Sequence, residues 1–372
     1  MGQTIRLCAM GILLTAISGT AQVAPFFIGT YSGEGKEDGI FAAALDRKSG
    51  RLDGLTSVAP EPKSGYVAIS DDGKFLFSVT ENAAGTVRSY RIGEGQKLDQ
   101  ISERPSGGSG PCHVWFGAGH VFVSHYGSGS IACFPVASDG VLGEASSQVA
   151  FEGSGPNLGR QKAPHAHAMA TSADGKFAYA CDLGTDSVWS FAFDRGSGKL
   201  TPTDPPRGMV APGGGPRHLA ISPDKPFLYA NDEMGLAVSV FSRDLARGTL
   251  ALLQTAPTLP EGTPREGVST AAIALHTSGR WLYVSNRGDN SISVFAVGGD
   301  GLLQWIEKVP ATVLVPRGFA LDPSGEWLVV AGQKDGALAS LRIDRETGKL
   351  TPAGRLETNT VPVCVAFARL RQ

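Results

Sequence analysis

The stretch "WLYVSNRGDNSISVFAVGGDGLL", residues 281–303, carries the pattern from which the fold of this 372-residue chain can be predicted. A tryptophan opens a short apolar run that stops at the polar Asn286. A second run alternates small polar and apolar residues as far as Phe295, and a glycine-rich turn then leads to Leu303. Short runs of β-branched and aromatic residues between Gly, Asn and Asp are typical of antiparallel strands joined by tight turns. The stretch therefore predicts two adjacent strands of a sheet and the turn into a third.

The same pattern recurs along the chain at intervals of about fifty residues, which is a period typical of repeat architectures. Copies of the aromatic-led strand begin at Phe26, Phe75, His120, Phe177, Phe227, Trp281 and Trp327. A four-stranded sheet with two apolar faces needs a neighbour on each side to be stable. The repeats therefore predict an all-β fold, a seven-bladed β-propeller.

The ends of the chain indicate how this ring closes. The first copy starts at its second strand, and the last copy is followed by an unassigned strand, "VPVCVAFARL", from Val361. We predict that this C-terminal strand completes the first blade, which would hide two sheet edges that otherwise promote aggregation. Two insertions, residues 152–163 and 257–268, interrupt the period just before a first strand.

Residues 1–21 differ from the rest of the chain. Arg6 precedes an apolar run over residues 7–17, and small residues lead to Ala21. This pattern is typical of a secretory signal peptide cleaved after Ala21, so we expect a propeller domain over residues 22–372 and export to the periplasm or medium. The apolar run is too short for a comfortable membrane span.

Composition limits the classes of partner. The formal net charge is −2 and charged residues make up 18% of the chain, which gives no electrostatic reason to expect nucleic acid or an anionic membrane as a partner of the mature form. We expect a monomer that binds a small molecule. No CxxC pair occurs, and each cysteine after Cys8 lies in an apolar run. We therefore predict buried free thiols at Cys112, Cys133, Cys181 and Cys364.

Antiparallel blades sort their connections onto two faces. We call the face where the chain enters first strands and leaves second strands the entry face, and the opposite one the turn face. Turns such as "DDGK" and "SADGK" belong to the turn face, where Asp and Lys are ordinary turn residues. The entry face instead collects polar and charged side chains from different blades: His113, His165, His167, Asp182, Arg217, His218, Glu233, Arg287, Arg317 and Gln333.

First strands line the axial channel of a propeller, so these side chains are expected to meet at one mouth. A concave polar pocket under mobile loops is the usual location of a ligand site. His165 and His167 differ by two positions, so in a regular strand both would point the same way. Each residue alone also fits a structural hydrogen bond or ion pair between blades, and only their convergence favours a site.

Several of these segments carry a resemblance to a known family. "PHAH", "CDLGTDSV", "GPRHLAISPD", "LYVSNRGDNSISVF" and "VPRGFALDPSGEWLVVAGQ" resemble the seven-bladed lactonase propellers, the group containing bacterial 6-phosphogluconolactonase and fungal carboxy-muconate cyclase. The resemblance covers nearly everything from Phe26 onward. It implies hydrolysis of a sugar lactone, without metal or other cofactor. Because one propeller frame hosts unrelated functions, the activity has to be argued from the site itself.

The resemblance also implies roles for residues at the entry face. His165 or His167 corresponds to the catalytic imidazole, and Arg217 and Glu233 belong to the catalytic set. The resemblance also implies that Arg287 and Arg317 bind substrate. We expect His218, Asp182, Gln333 and His113 to join them in the substrate-binding set, because they lie at the same face. Phosphogluconolactonases of the family act in the cytoplasm, so an exported chain leaves open whether its lactone is phosphorylated.

Lactone hydrolysis needs an activated water, a partner for the oxyanion and a proton for the leaving alkoxide. Glu233 or a neutral His167 could accept the proton of the water. Arg217 and Arg287 could bind the oxyanion or an anionic substituent.

Three alternatives stay open at this point. Serine catalysis lacks a G-x-S-x-G elbow and has only Ser269 near the mouth. A metal-dependent mechanism would need hard oxygen ligands, for which the candidates are Glu81, Asp182, Asp232 and Glu233. The third alternative is a non-catalytic exported propeller that binds a peptide or glycan through the entry face.

Overall fold

Seven four-stranded antiparallel sheets form the protein in a computed structural model, which describes residues 22–367. The predicted signal peptide lies outside the described residues. The sheets are the seven blades, and in each the innermost strand faces the axis. From inner to outer strand, blade 1 contains β28 (Val361–Phe367), β1 (Val23–Tyr31), β2 (Ile40–Asp46) and β3 (Leu52–Ala59).

The other six blades each use four consecutive strands. Blade 2 contains β4 (Tyr66–Ile69), β5 (Phe75–Thr80), β6 (Thr86–Ile92) and β7 (Leu98–Pro105). Blade 3 contains β8 (Pro111–Gly117), β9 (His120–His125), β10 (Ser130–Pro135) and β11 (Ser147–Ala150). Blade 4 contains β12 (Ala166–Thr171), β13 (Phe177–Asp182), β14 (Ser187–Asp194) and β15 (Lys199–Met209).

Blade 5 contains β16 (Pro216–Ile221), β17 (Phe227–Asp232), β18 (Ala237–Arg243) and β19 (Leu250–Pro257). Blade 6 contains β20 (Ser269–Leu275), β21 (Trp281–Arg287), β22 (Ser291–Val297) and β23 (Leu303–Pro310). Blade 7 contains β24 (Pro316–Leu321), β25 (Trp327–Gly332), β26 (Ala337–Ile343) and β27 (Leu350–Glu357). The helical segments of the described chain are two short 3₁₀ turns, Glu94–Gln96 and Leu183–Thr185.

The ring closes as the sequence predicts. β28 pairs antiparallel with β1, so that Ile28 lies opposite Val365, and it packs between the inner strands β4 and β24. The fold prediction is thereby confirmed, including the strand that completes blade 1. Among residues 22–367 no helix has the length and apolar character to cross a bilayer.

The apolar core lies between neighbouring blades. One cluster joins Tyr283 and Val294 of blade 6 to Leu328 and Val330 of blade 7. The four predicted cysteines are also buried in the blades as free thiols. Burial of this kind makes each blade dependent on its neighbours, which is why the ring has to close.

The repeated glycine turn of one blade packs on the repeated aromatic residue of the neighbouring blade. Gly348 of blade 7 has a φ of 71°, and a Cβ there would clash with the indole of Trp281 in blade 6. Gly50 of blade 1 packs on Trp327 of blade 7 in the same way. Glycine supplies both the left-handed backbone and the space for the ring. The pair at Gly50 and Trp327 seals the junction between the first and last blades.

A β-bulge near the start of the inner strands sets the geometry of the entry face. The pairing register shifts around Cys112, His167, Arg217 and Arg317 in blades 3, 4, 5 and 7. A bulge re-aims a side chain, and bulges are common beside active sites. The bulge at His167 also interrupts the regular alternation on which the common orientation of His165 and His167 was predicted.

Candidate active site

A buried carboxylate at the entry face collects three arginines. Arg217 Nε and Arg287 Nη2 lie 3.0 and 3.1 Å from Glu233 Oε2, and Arg160 Nη2 lies 2.8 Å from Oε1. The Glu233 side chain is 6% exposed. Its backbone N–H donates to Gly215 O at 2.8 Å, which fixes the residue just after β17. Ion pairs in such a desolvated setting are far stronger than the same pairs in water.

The arginines keep Glu233 ionised. Burial by itself would raise the pKa of this carboxyl, but Arg287, Arg217 and Arg160 outweigh it and hold the pKa at about 2. Burial and the neighbouring Arg317 and Arg287 lower the pKa of Arg217 to about 9, which leaves it protonated at neutral pH. Glu233 is therefore a counter-ion for the arginines and a weak proton acceptor.

Two buried N–H groups of these arginines lack a well-placed hydrogen-bond acceptor within residues 22–367. Arg217 Nε faces Glu233 but is poorly aligned to donate, and Arg287 Nε has no acceptor within residues 22–367 although both atoms are buried. Other donors are committed: Arg217 Nη1 donates to His218 Nε2 at 3.1 Å, and Arg287 Nη2 donates to Thr270 O at 3.1 Å. Unfilled buried donors favour an anionic or strongly polar ligand.

A fourth arginine, Arg317, lies within electrostatic reach of Arg217 and Glu233. Arg317 Nη2 donates to the hydroxyl of Tyr31 at 2.9 Å, and its guanidinium lies 5.1 Å from the centre of that ring. Burial raises the pKa of the Tyr31 phenol, so it remains protonated, with Glu81 acting in the same direction. Four arginines against two carboxylates, Glu233 and Glu81, give the mouth a positive excess.

A layer of rings lies across the channel close to the arginines. The ring of Tyr66 packs 4.4 Å from His113 and 5.7 Å from His218, and His218 packs 5.3 Å from both His113 and His167. These residues come from four blades. Tyr66, His113 and His218 also line a cavity of about 240 Å³ within the channel.

The histidines of this layer are neutral. Burial and then the charge of Arg217 lower the pKa of His113 to about 3. The same two causes hold the pKa values of His167 and His218 well below the ordinary range. Desolvation disfavours an imidazolium in such a position. These rings therefore accept protons poorly at neutral pH.

His165 is in a different setting. It precedes β12, is half-buried, and stacks on Tyr126 with ring centres 4.3 Å apart. Its Nδ1 lies 2.8 Å from Tyr126 O, and because a carbonyl oxygen only accepts, Nδ1 carries the proton. In the neutral form of the ring the lone pair is therefore on Nε2. The hydroxyl of the same Tyr126 accepts a hydrogen bond from Arg160 at 3.2 Å, so His165 adjoins the arginine cluster.

Two sequence-predicted residues do not join the cluster. Asp182 is fully buried, and its carboxylate accepts from the backbone N–H of His165 and Gly184 and from the hydroxyl of Thr185. It supports the turn after β13, and its contact with substrate stays a prediction. Gln333 is fixed by its backbone N–H, which donates to Val315 O at 3.1 Å, and within residues 22–367 its side chain makes no hydrogen bond.

Strand alternation explains why the Asp182 side chain bonds within its own blade whereas the Glu233 side chain meets the arginines. By sheet register, Asp182 is equivalent to Asp232, the last residue of β17, and not to Glu233. Asp232 is also turned into its blade, where Ser239 Oγ donates to it at 2.8 Å, and burial raises its pKa to about 8. Within the described residues no group of three His, Cys, Asp or Glu side chains is arranged to hold a metal ion.

Register also reveals the residues that sequence reasoning missed. We call the position at the end of the second strand that the sheet register aligns with Glu233 the exit position. Across blades 1 to 7 it is occupied by Tyr31, Glu81, Tyr126, Leu183, Glu233, Arg287 and Gln333. Aligning the strand ends residue by residue would have identified Tyr31 and Tyr126. Tyr66 resembles any strand aromatic, and Arg160 is one of two cations in an insertion, with no signal that selects it.

Comparison with known proteins agrees with this geometry. Residues 25–367 match the family model described as "Lactonase, 7-bladed beta-propeller". The chain is 31% identical to the 6-phosphogluconolactonase of Bacillus subtilis over 92% of this chain and 97% of that protein. It is 30% identical to the 6-phosphogluconolactonase of Formosa agariphila, covering 87% and 94%.

A solved structure gives the same result. The periplasmic gluconolactonase of Pseudomonas aeruginosa superimposes with a TM-score of 0.85 at 30% identity, covering 94% of this chain and 100% of that one. The family match spans the whole ring of blades, including the C-terminal strand that closes it. The chain therefore belongs to the lactonase family of seven-bladed β-propellers.

Proposed function

We propose that this chain hydrolyses a sugar lactone at the entry-face mouth of its channel. The observation that carries the proposal is the convergence of Arg217 and Arg287 on the buried Glu233. A water-excluding site with fixed positive charge stabilises an oxyanion without reorganisation. The names of the related proteins, two 6-phosphogluconolactonases and a gluconolactonase, support the same chemistry.

In the proposed reaction a water molecule attacks the lactone carbonyl while a base takes its proton. The carbonyl π electrons move to oxygen, and this oxyanion is stabilised by Arg217 and Arg287, whose buried Nε groups lack good acceptors. When the intermediate collapses, the ring C–O bond breaks and the leaving alkoxide takes the proton back from the base. The products are an open-chain hydroxy acid and the regenerated enzyme.

We propose His165 as that base. Its Nδ1–H is held by the carbonyl of Tyr126, which leaves Nε2 free to accept a proton near the arginines. Glu233 is a poorer base because its pKa is about 2, and His167 because burial and Arg217 hold its pKa far below neutrality. Arg217 and Glu233 then act electrostatically, and His113, His167 and His218 form the wall of the site.

The substrate and the compartment are further parts of the proposal. The positive excess at the mouth suits a lactone that carries a phosphate or a carboxylate. The sequence pattern of residues 1–21 and the similarity to a periplasmic gluconolactonase support export of the mature chain. Tyr31 and Arg317 would contact the sugar beside the arginines that surround Glu233.

The test is hydrolysis of glucono-δ-lactone and 6-phosphogluconolactone by the purified protein, corrected for spontaneous opening. His165→Asn keeps a donor for Tyr126 O but lacks the basic nitrogen, so kcat should fall about 10²–10⁴-fold. His167→Asn should cost less than about tenfold. Arg217→Ala should lower kcat about 10²–10³-fold.

Two results would contradict this mechanism. If His167→Asn is the more damaging of the two histidine variants, the base is misassigned. If the wild type matches the spontaneous rate on every lactone tried, the non-catalytic binding alternative replaces the enzyme.

A further inference from the structure

The insertion over residues 152–163 supplies Arg160 to the mouth, whose other charged residues come from the blades. Arg160 reaches both Glu233 and the hydroxyl of Tyr126, at 2.8 and 3.2 Å. Its side chain is 45% exposed, whereas those of Arg217 and Arg287 are 2% and 15% exposed. Arg160 is therefore the arginine of this cluster that solvent and an incoming ligand reach first.

The three arginines do not share Glu233 equally. Arg217 and Arg287 approach Oε2, while Arg160 approaches Oε1. If Arg160 turned away, the carboxylate would keep two buried cationic partners on its other oxygen. The Arg160 end of this ion pair is 45% exposed, so its contact can be exchanged for another anion at a lower cost than the contacts of the buried Arg217 and Arg287.

Buried hydrogen bonds hold the 152–163 insertion against the neighbouring blade. Gln161 is fully buried and its Nε2 donates to Leu183 O at 2.9 Å and to Asp186 Oδ1 at 2.6 Å. Its Oε1 accepts from the backbone N–H of Asn157 at 3.0 Å. A Cβ on Gly155 would lie 2.6 Å from the Gln161 amide, so the backbone closes tightly around this side chain.

We propose that Arg160 is a specificity-determining residue that leaves Glu233 Oε1 to bind an anionic group of the lactone, and that Gln161 is the positioning residue that holds Arg160 over the mouth. This inference rests on the proposed function. Phosphate and carboxylate present the same bidentate chemistry to a guanidinium, so either group would be recognised. Arg217 and Arg287 stay with Glu233 and the reacting carbonyl.

The experiment compares three lactones on wild type, Arg160→Ala and Lys162→Ala. Lys162 is an exposed cation two residues further along the same insertion, so its variant removes the same charge without the contact. For 6-phosphogluconolactone, Arg160→Ala should raise KM about 10- to 100-fold with kcat within about threefold, as expected for one charge-assisted contact. For neutral glucono-δ-lactone, KM should change less than about twofold. D-glucaro-lactone tells whether a carboxylate is recognised as well.

Gln161→Leu tests the positioning role. It keeps Arg160 but removes the amide that anchors the insertion, so it should reproduce the KM increase on the anionic lactone in part while leaving the neutral one unchanged. Arg160→Lys should recover part of the affinity, because the charge returns without the planar fork. Lys162→Ala should behave as the wild type on every lactone.

Equal losses on charged and neutral lactones in Arg160→Ala would overturn the inference, as would equal effects of Arg160→Ala and Lys162→Ala. A readout without turnover separates this from the proposed function. Calorimetric binding of 6-phosphogluconate should weaken about 10-fold or more in Arg160→Ala and stay unchanged in Lys162→Ala. If the wild type hydrolyses no lactone, the proposed function fails, and this binding measurement alone decides the role of Arg160.

Discussion

The two faces of the propeller are built from the same strands but differ in what they repeat. At the turn face, Ser70 donates to Asp72 and Ser172 donates to Asp174, both at 2.7 Å, so blades 2 and 4 carry the same turn. At the entry face the exit position changes from blade to blade, from tyrosine to glutamate to arginine. Residues that follow the blade period hold the scaffold, and residues that break it form the site.

Cavity size does not indicate which face carries the site. The turn face opens into a cavity of about 1170 Å³, several times larger than the one of about 240 Å³ in the channel. The larger cavity is lined mainly by small residues, apolar residues and turn residues such as Ser172 and Pro223. Convergent charge, burial and unfilled donors locate the candidate site, and these occur at the entry face.

Glu233→Gln should have the largest effect on stability at the entry face. The variant leaves Arg217 buried without a counter-ion, so the free energy of unfolding at pH 7 should fall by about 3–5 kcal/mol. The folded pKa of about 2 lies below the ordinary 4.5, so the contribution of Glu233 is complete above pH 4.5 and is lost as the pH falls toward 2. Urea denaturation at several pH values should show the difference between the two proteins shrinking over that window. A difference independent of pH would contradict the ion-pair assignment.

His113→Phe should change the pH dependence of the free energy of unfolding below pH 6.5 more than its value at neutral pH. The folded pKa of about 3 lies below the ordinary 6.5, so the unfolded chain takes up the proton first and the wild type loses stability as the pH falls from 6.5 toward 3. The variant should lose about 1.4 kcal/mol less per pH unit in that range and stay within about 1 kcal/mol of wild type at pH 7. Tyr66→Phe, in the same ring layer, is the control and should keep the wild-type slope. Identical slopes for His113→Phe and wild type would refute the neutral, buried state of His113.

Asp174→Asn at the turn face should have the smallest effect. Its carboxylate accepts from Ser172 Oγ at 2.7 Å and from the Lys176 backbone N–H at 3.1 Å, in an exposed turn. Loss of the charge should lower the free energy of unfolding by less than about 1 kcal/mol and leave kcat/KM on the lactones within about twofold of wild type. Steady-state kinetics and thermal unfolding check both numbers. A large loss of activity would mean that the turn face also contributes to the site.

The sequence predicted more of the scaffold than of the site. The strand period predicts the seven blades, and the unassigned strand from Val361 predicts the closure that the pairing of β28 with β1 confirms. Arg217, Glu233 and Arg287 were expected to converge and they do. Asp182 was expected beside them, but it lies one residue before the exit position and therefore points into its blade.

Arg160 could not be identified as a site residue from the sequence. Its insertion has no periodicity, and Arg160 and Lys162 look equivalent there until the structure pairs one of them with Glu233. The contact spans 73 positions along the chain and crosses from one blade junction to another. It depends on the buried Gln161, whose partners Leu183 and Asp186 lie in the next blade.

The amino-acid sequence is enough to predict the strand period, the turn chemistry, the closing strand and the kinds of side chain at the entry face, because strand alternation and turn preferences depend on residues close together in the chain. Which charges meet cannot be predicted in this way. The ion pairs of Glu233, the tautomer of His165 and the neutral ring layer depend on distances between blades and on burial, and both are defined only after the ring has closed.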